Sequence, residues 1–597
     1  MMRVKEFIAK IDITAMDSVT SVILAIVVGI VGVSVYFKYQ QSAYRKKAMQ
    51  ILEDTKERIG KKGFVSKNIP DNIDVIVIGS GIGGLTSASL LAQAGKKVLV
   101  LEQHDTVGGN MHTYDKKGYE FDTGLHYVGG RIDTTRSMLG RVMNRVSSGL
   151  VEWKKMNDEY DIPLNYMTGE RYPMNDHFRK TQESLLKRFP DPVDQKSIRD
   201  FYKALKTAQK SIGLLLFITH ILPSFLKPYF MRFFIEGSTT TLINKTTEQV
   251  ISSLTSNVTL QGIFGYIYGD YGGLPSESPF LIHAMVFNHY RSGSFYPIGG
   301  PSHIARSIVA TIEAYGGTVL VRAEVDEILL AKNKSTGVYK AIGVCVNGKK
   351  VFAKTIVSSA GVFNTFKKLV PESARHVVKD QIDVLDKEVP ACSLMSVFVG
   401  LKDEDGTMEL PSSNIWAFPS WEHEKNFTEF RQDYKNAPPA AVFMSFSSAK
   451  DHTYAERYPG KQSALIIGPA CYEWFEKFEN TLHKKRGKEY EDMKSVLENK
   501  FLEVFYGQFP DLREKVEVVF SGTPITNNRY LGNYKGEIYG MSHSVTRFNQ
   551  CVIRPTTPIV GLYLSGQDVF SCGIAGAMIG GLYSAITISK QSAVSLI

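Results

Sequence analysis

The chain has 597 residues, about four times a ~150-residue domain, so at least two lobes are expected. With 43% hydrophobic and 22% charged residues and 50 Gly against 23 Pro, its composition is globular α/β and excludes disordered and fibrous classes. The formal net charge of +10 is spread along the chain without a long basic run, which suits solubility and attraction to anionic lipid; nucleic acid is not an expected partner. The five cysteines, Cys345, Cys392, Cys471, Cys551 and Cys572, form no C-x-x-C pair and have no zinc-like spacing to histidine, so neither a disulfide framework nor a metal site is expected.

In chain order, residues 1–18 read as a tail and Val19–Phe37 as an uncharged apolar run that spans roughly 28 Å as a helix, close to the hydrocarbon thickness. One transmembrane anchor is the expectation. Residues 38–69 are polar and Lys/Glu-rich and read as a helical stalk. Lys38, Arg45, Lys46 and Lys47 slightly favour a cytosolic body, whereas N-glycosylation triplets at Asn244, Asn257, Asn333 and Asn426 would be used only in a lumen. Orientation therefore stays open.

The catalytic body begins near Pro70. Asp74–Ile78 is a Val/Ile-rich run of the kind buried in a parallel sheet, and it leads into Gly79-Ser-Gly81-Ile-Gly83-Gly84. Leu85–Ala94 reads as a helix stopped by Gly95, and Lys97–Leu101 as a second strand ending at Glu102. This is a βαβ dinucleotide fingerprint. Gly79 permits the tight turn, Gly81 lets backbone approach a pyrophosphate, Gly84 allows close helix packing, and Glu102 would bind ribose hydroxyls. A second glycine pair, Gly108-Gly109, follows.

From here the pattern becomes specific. The segment EQHDTVGGNMHTYDKKGYEFDTGLHYVGG, Glu102–Gly130, resembles the opening FAD-binding segment of the phytoene desaturase, carotenoid isomerase and retinol saturase superfamily, and its His-Thr-Tyr and Phe-Asp-Thr-Gly-Leu-His-Tyr words are most similar to the retinol saturase branch. Asn110 and Met111 stand where relatives commonly carry cysteines. Further resembling blocks are Phe295–Gly300 with the strand-like and helix-like stretch after it, Thr355–Pro371, and Gly561–Ala585. The resemblance implies an α/β fold with a Rossmann-like FAD-binding domain of the amine-oxidase and phytoene-desaturase type and an inserted α+β substrate lobe. The flavin domain would comprise 70–165, 290–375 and 535–597, and the substrate or membrane-docking lobe 166–289 and 376–534. It further implies Val325 near the adenine, Gly566, Gln567 and Asp568 at the pyrophosphate and ribityl chain, and Ile574 to Met578, with Ala577, under the isoalloxazine.

Between the blocks, Ile212–Ile235 is apolar with prolines at 223 and 228, which excludes one straight spanning helix. A surface dipping into one leaflet and a buried helix pair are equally open. No nucleophile motif is visible, so FAD must carry the chemistry, with NADPH or NADH reaching it transiently as electron donor. His126 is the catalytic candidate for proton donation, with Tyr127, His303 and His543 as other polar candidates, and acidic residues of the N-terminal half read mostly as solvated faces. The resemblance implies saturation of the 13,14 double bond of all-trans-retinol in the endoplasmic reticulum membrane, with a retinoid or carotenoid-like polyene as substrate and membrane lipid as partner. Carotenoid cis/trans isomerisation or desaturation, and flavin-free prenyl-lipid binding of the Rab escort type, are the alternatives.

Overall fold

The structure, a computed structural model, describes residues 41–55, 58–220, 244–388, 392–482, 485–550 and 552–596. The expected anchor Val19–Phe37 lies outside the described residues, as do residues 221–235 of the Ile212–Ile235 run. The start of that run closes the helix Pro192–His220. No described helix is long and apolar enough to cross a membrane.

A five-stranded parallel sheet organises the first layer. β1 (Val75–Ile78) leads through α1 (Ile82–Gln93) to β2 (Val98–Leu101), and β3 (Thr318–Leu320), β4 (Thr355–Ser358) and β5 (Leu562–Leu564) complete the order β5-β4-β1-β2-β3. Val75 pairs with both Val98 and Thr355. Every residue of β1 and β2 is buried, as expected of a parallel strand covered on both faces. The Phe295–Gly300 block and its continuation form a short strand, the helix Pro301–Ala314 and then β3. The last block supplies β5 and the helix α2 (Gly573–Ser589).

Helices α1 and α2 meet at glycines, because a Cβ on Gly581 would lie 2.5 Å from the Gly83 carbonyl oxygen. Polar side chains inside this contact are paired: Ser87 Oγ lies 2.8 Å from Ser565 Oγ and donates to the Gly83 carbonyl.

A seven-stranded sheet forms the second layer, in the order Val516–Gly522, Leu394–Lys402, Lys461–Pro469, Val442–Ser445, Asn414–Phe418, Glu159–Asn165, Met174–Asn175. Glu159–Asn165, placed by the sequence reading in the flavin segment 70–165, pairs parallel with Asn414–Phe418 in this second sheet. Its burial pattern, with both Tyr160 and Asp161 inside, gives no clean alternation from which to read its partner.

The stalk expectation also changes. Residues 41–55 are helical, but Ala48 is fully buried, Tyr44 stacks on Tyr315 at 3.8 Å, and Lys47 Nζ donates to the Ala314 carbonyl at 2.9 Å. The helix is docked on the body. Asn426 is buried, with its amide bonded to the Ser420 carbonyl and its carbonyl accepting from Ser420 Oγ, which leaves no room for a glycan in the folded chain.

Candidate functional site

A cleft of about 2200 Å³ lies between the two sheets, larger than the ~300–1,000 Å³ of ordinary small-molecule pockets. At one end are the glycine turn, Glu102, Gly108, Gly109 and Val325; Gly566, Gln567, Asp568, Ile574 and Ala577 also line it, and Tyr127, Tyr290, Trp416 and Phe443 form an aromatic wall beside Asp270. The sequence-predicted cofactor residues are thus brought into one space, except that Gly84 is buried against the Gly79 carbonyl and Met578 is fully buried behind the cleft.

The turn after β1 has the geometry of a cradle. Gly79 has φ +93°, and a Cβ on Gly84 would come 2.2 Å from the Gly79 carbonyl oxygen. Gly81 has nothing within 4 Å of a Cβ position, so its face opens to the cleft. Neither α1 nor α2 carries a side-chain cap, leaving the first amides of both helices for a ligand with negative charge. Glu102 Oε2 accepts from the Ser80 amide at 2.9 Å and from Ser80 Oγ at 2.6 Å, while Oε1 accepts from the His104 amide at 2.9 Å. Ser80 Oγ also accepts from the Gly108 amide at 3.1 Å, so one hydroxyl ties the turn, the acid and the second glycine pair together. Open glycine faces, free helix amides and a fixed acid at the strand end fit the adenosine and pyrophosphate parts of FAD.

At the other helix, Gly566 adopts φ +100°. Asp568, expected at the pyrophosphate and ribityl chain, uses its carboxylate differently: Oδ2 accepts from the Val362 amide at 3.0 Å and Oδ1 from the Met541 amide at 2.8 Å. It fastens the loops after β4 and before residue 545 beneath the cleft.

His126 lines the cleft, and burial, followed by the charge of Lys450, pushes its imidazole down to about 3, a neutral ring that still carries one N–H. His303 bonds the Leu150 carbonyl, and His543 Nε2 accepts from the Cys572 amide; neither lines the cleft. Most described acidic residues of the N-terminal half are exposed, as expected, but a few lie inside. Asp122, Asp161 and Asp270 all point inward. Tyr296 donates to Asp122 at 2.8 Å, and burial raises that carboxyl well above the usual range. Lys450 Nζ, itself lowered by burial, donates to Asn414 Oδ1 at 2.5 Å, Ser445 Oγ at 2.7 Å and the His126 carbonyl at 2.9 Å. These groups were missed because isolated acids within Tyr-rich words such as YIYGDYGG carry no spacing signal; the density of tyrosine around them is the one local hint.

The flavin containing amine oxidoreductase family model matches residues 82–386. Over 560 residues the chain is 35% identical to the all-trans-retinol 13,14-reductase of Danio rerio, covering 90% of this chain and 89% of that protein. It is 32% identical, with the same coverage, to a Danio rerio protein named inactive all-trans-retinol 13,14-reductase. The chloroplastic prolycopene isomerase of Daucus carota is 24% identical over 83% of this chain and 76% of its own length. An oxidoreductase from Methanosarcina mazei of known structure shares the fold, with a TM-score of 0.55 at 17% identity over 87% of this chain and 100% of that one. Identity of 35% over nine-tenths of the length leaves neither sheet outside the match, and the protein belongs to the all-trans-retinol 13,14-reductase family of flavin-containing oxidoreductases.

Proposed function

We propose that the chain is an FAD-dependent oxidoreductase that saturates the 13,14 double bond of all-trans-retinol to give all-trans-13,14-dihydroretinol. The observation that carries this reading is the two-ended cleft, with a phosphate-type glycine cradle at one end and an aromatic wall at the other, in a chain 35% identical to such reductases. Bound flavin supplies hydride transfer to a carbon of the double bond. The chain's own residues do the rest. The Gly79–Gly84 turn, Ser80 and Glu102 would hold the adenosine half, and the N-terminus of α2 with Ile574 and Ala577 the flavin half. Tyr127, Tyr290, Trp416 and Phe443 would exclude water from a polyene and stabilise positive charge developing on it through their ring faces.

The test is anaerobic incubation of the flavin-reduced protein with all-trans-retinol, followed by mass analysis. A product heavier by two hydrogens, with stoichiometric flavin oxidation, is expected. A mass-neutral geometric isomer would instead support the second reading, polyene isomerisation, which the similarity to prolycopene isomerase favours. Unconverted retinol would align the chain with the inactive relative. We also propose that Val19–Phe37 anchors the protein in the endoplasmic reticulum membrane and that NADPH or NADH reduces the flavin transiently. Alkaline extraction of membranes and anaerobic mixing with each nicotinamide test these two points.

A further inference from the structure

The Tyr127 hydroxyl lies 3.1 Å from Asp161 Oδ2 and 3.0 Å from Asp270 Oδ2. A phenol has one proton to donate. It can serve one ionised carboxylate; the second contact is attractive only if that carboxyl keeps its own proton and donates it to the phenolic oxygen. The surroundings decide which acid is which. Asp161 accepts from Asn414 Nδ2 at 3.0 Å and from the Tyr266 hydroxyl at 3.2 Å as well, and the orientation of Asn414 is fixed by Lys450 donating to its Oδ1. Three donors and a nearby cation mark Asp161 as the ionised member. Among the described residues Asp270 has the hydroxyls of Tyr127 and Tyr290 as side-chain partners, and it faces the charge of Asp161.

Asp270 also occupies the right place. It is enclosed by protein, yet it is half-buried rather than fully covered, because its open side belongs to the cleft it lines. Asp161, by contrast, has no accessible surface. The other titratable groups facing Asp270 are Tyr160, Tyr266, Tyr539 and Cys572. Burial raises all four, so they stay neutral and add no competing charge. Burial, followed by the Asp161 charge, pushes Asp270 up to about 7, while burial opposed by hydrogen bonds from Asn414, Tyr127 and Tyr266 leaves Asp161 at about 6.

We propose that Asp270 is the general acid of the cleft, held protonated by the Tyr127 bridge to ionised Asp161, and that it delivers its proton to one carbon of the substrate double bond. This rests on the reading of the chain as an alkene-reducing enzyme. The π pair forms the new C–H bond with that proton, leaving Asp270 as carboxylate and a positive charge delocalised along the polyene. A hydride, two electrons and one proton, drawn from a two-electron-reduced flavin forms the second C–H bond, so the alkene gains two hydrogens and the flavin is oxidised. The two carboxylates then repel each other across the one phenolic proton, which raises the proton affinity of Asp270, and a proton from solvent water reaching its open side of the cleft restores the acid after product leaves.

Infrared titration of the flavin-bound protein provides the test that does not depend on turnover. Asp122 and Glu537, also raised by burial, contribute carboxyl bands to both proteins, so the readout is the native minus Asp270→Asn difference spectrum, in which a protonated-carboxyl C=O band should disappear with a midpoint near pH 7. A difference spectrum without such a band overturns the proposal. In single turnover with reduced flavin and all-trans-retinol, Asp270→Asn should retain its flavin and lose about 100-fold or more in rate, and the native rate should fall above pH 7. A variant within threefold of native and with the same pH profile also overturns it. If Asp270→Asn does not fold, Asp270→Glu, with a displaced acid, should show a shifted midpoint; an unshifted one would count against Asp270. Native protein that leaves retinol unchanged defeats the alkene-reduction reading, and the infrared arm still judges the protonation of Asp270.

Discussion

Replacing Gly83 by Ala and Gly81 by Val perturbs two positions of one turn with opposite consequences. A Cβ on Gly83 would lie 2.4 Å from Gly566 Cα, 2.8 Å from Gly566 N and 3.1 Å from the Ala577 carbonyl oxygen. Carbon atoms pack comfortably at about 3.5–4.0 Å, so the overlap is about 1 Å against backbone of the turn after β5 and of α2, neither of which can swing aside as a side-chain tip would. Overpacking of this kind costs about 1–3 kcal/mol, and the immobile partners put Gly83→Ala at the upper end. Gly81 has φ −63° and ψ 169°, accessible to valine, and no atom within 4 Å of its Cβ position. Gly81→Val should therefore leave the fold at native stability while placing its branched side chain where a pyrophosphate must approach. Urea unfolding followed by circular dichroism, with flavin content read by absorbance on the same samples, separates the effects. Gly83→Ala should unfold at lower urea, and Gly81→Val should match native apoprotein yet carry no flavin. Native flavin content in Gly81→Val, or native stability in Gly83→Ala, would refute the geometry argued for the cradle.

Ser80→Ala removes the hydroxyl linking Glu102 to the Gly108 amide; a hydrogen bond to a charged group contributes about 1.5–3 kcal/mol, so FAD affinity by fluorescence titration should fall at least tenfold. A chain lacking residues 1–60 should have lower thermal stability than one lacking residues 1–40, because it also loses buried Ala48 and the Tyr44–Tyr315 stack. Asp270 and Asp161 are raised to about 7 and about 6 from an ordinary value of 3.8. The folded chain thus holds more protons at these sites than the unfolded chain across about pH 4 to 7, and their contribution to stability falls as pH rises through that window. Asp270→Asn should flatten this part of the urea midpoint against pH, which parallel titrations of the two proteins would check.

The flavin-binding half was legible in the sequence for a local reason. A strand buried on both faces must be continuously apolar, a helix meeting it closely must carry glycine, and an acid must follow the second strand. Those demands fall within Asp74–Glu102, and each is met by residue type at fixed spacing. β4, β5 and α2 repeat the same local logic far along the chain, which is why three separated segments could be assigned to one layer. What only the tertiary structure decided concerns partners distant in sequence. Glu159–Asn165 belongs to the second sheet because Asn414–Phe418 lies beside it, and residues 41–55 are not a free stalk because Tyr315 and Ala314 receive them. His126, the residue singled out beside a flavin block, became neutral through burial and the charge of Lys450, 324 residues away. Asp161 and Asp270, unremarkable as letters, became a proton-sharing pair because Tyr127 comes between them. Hydrophobic periodicity and glycine spacing act through neighbours in the chain, so a sequence displays them; desolvation and charge pairing act through neighbours in space, and only the folded packing fixes those.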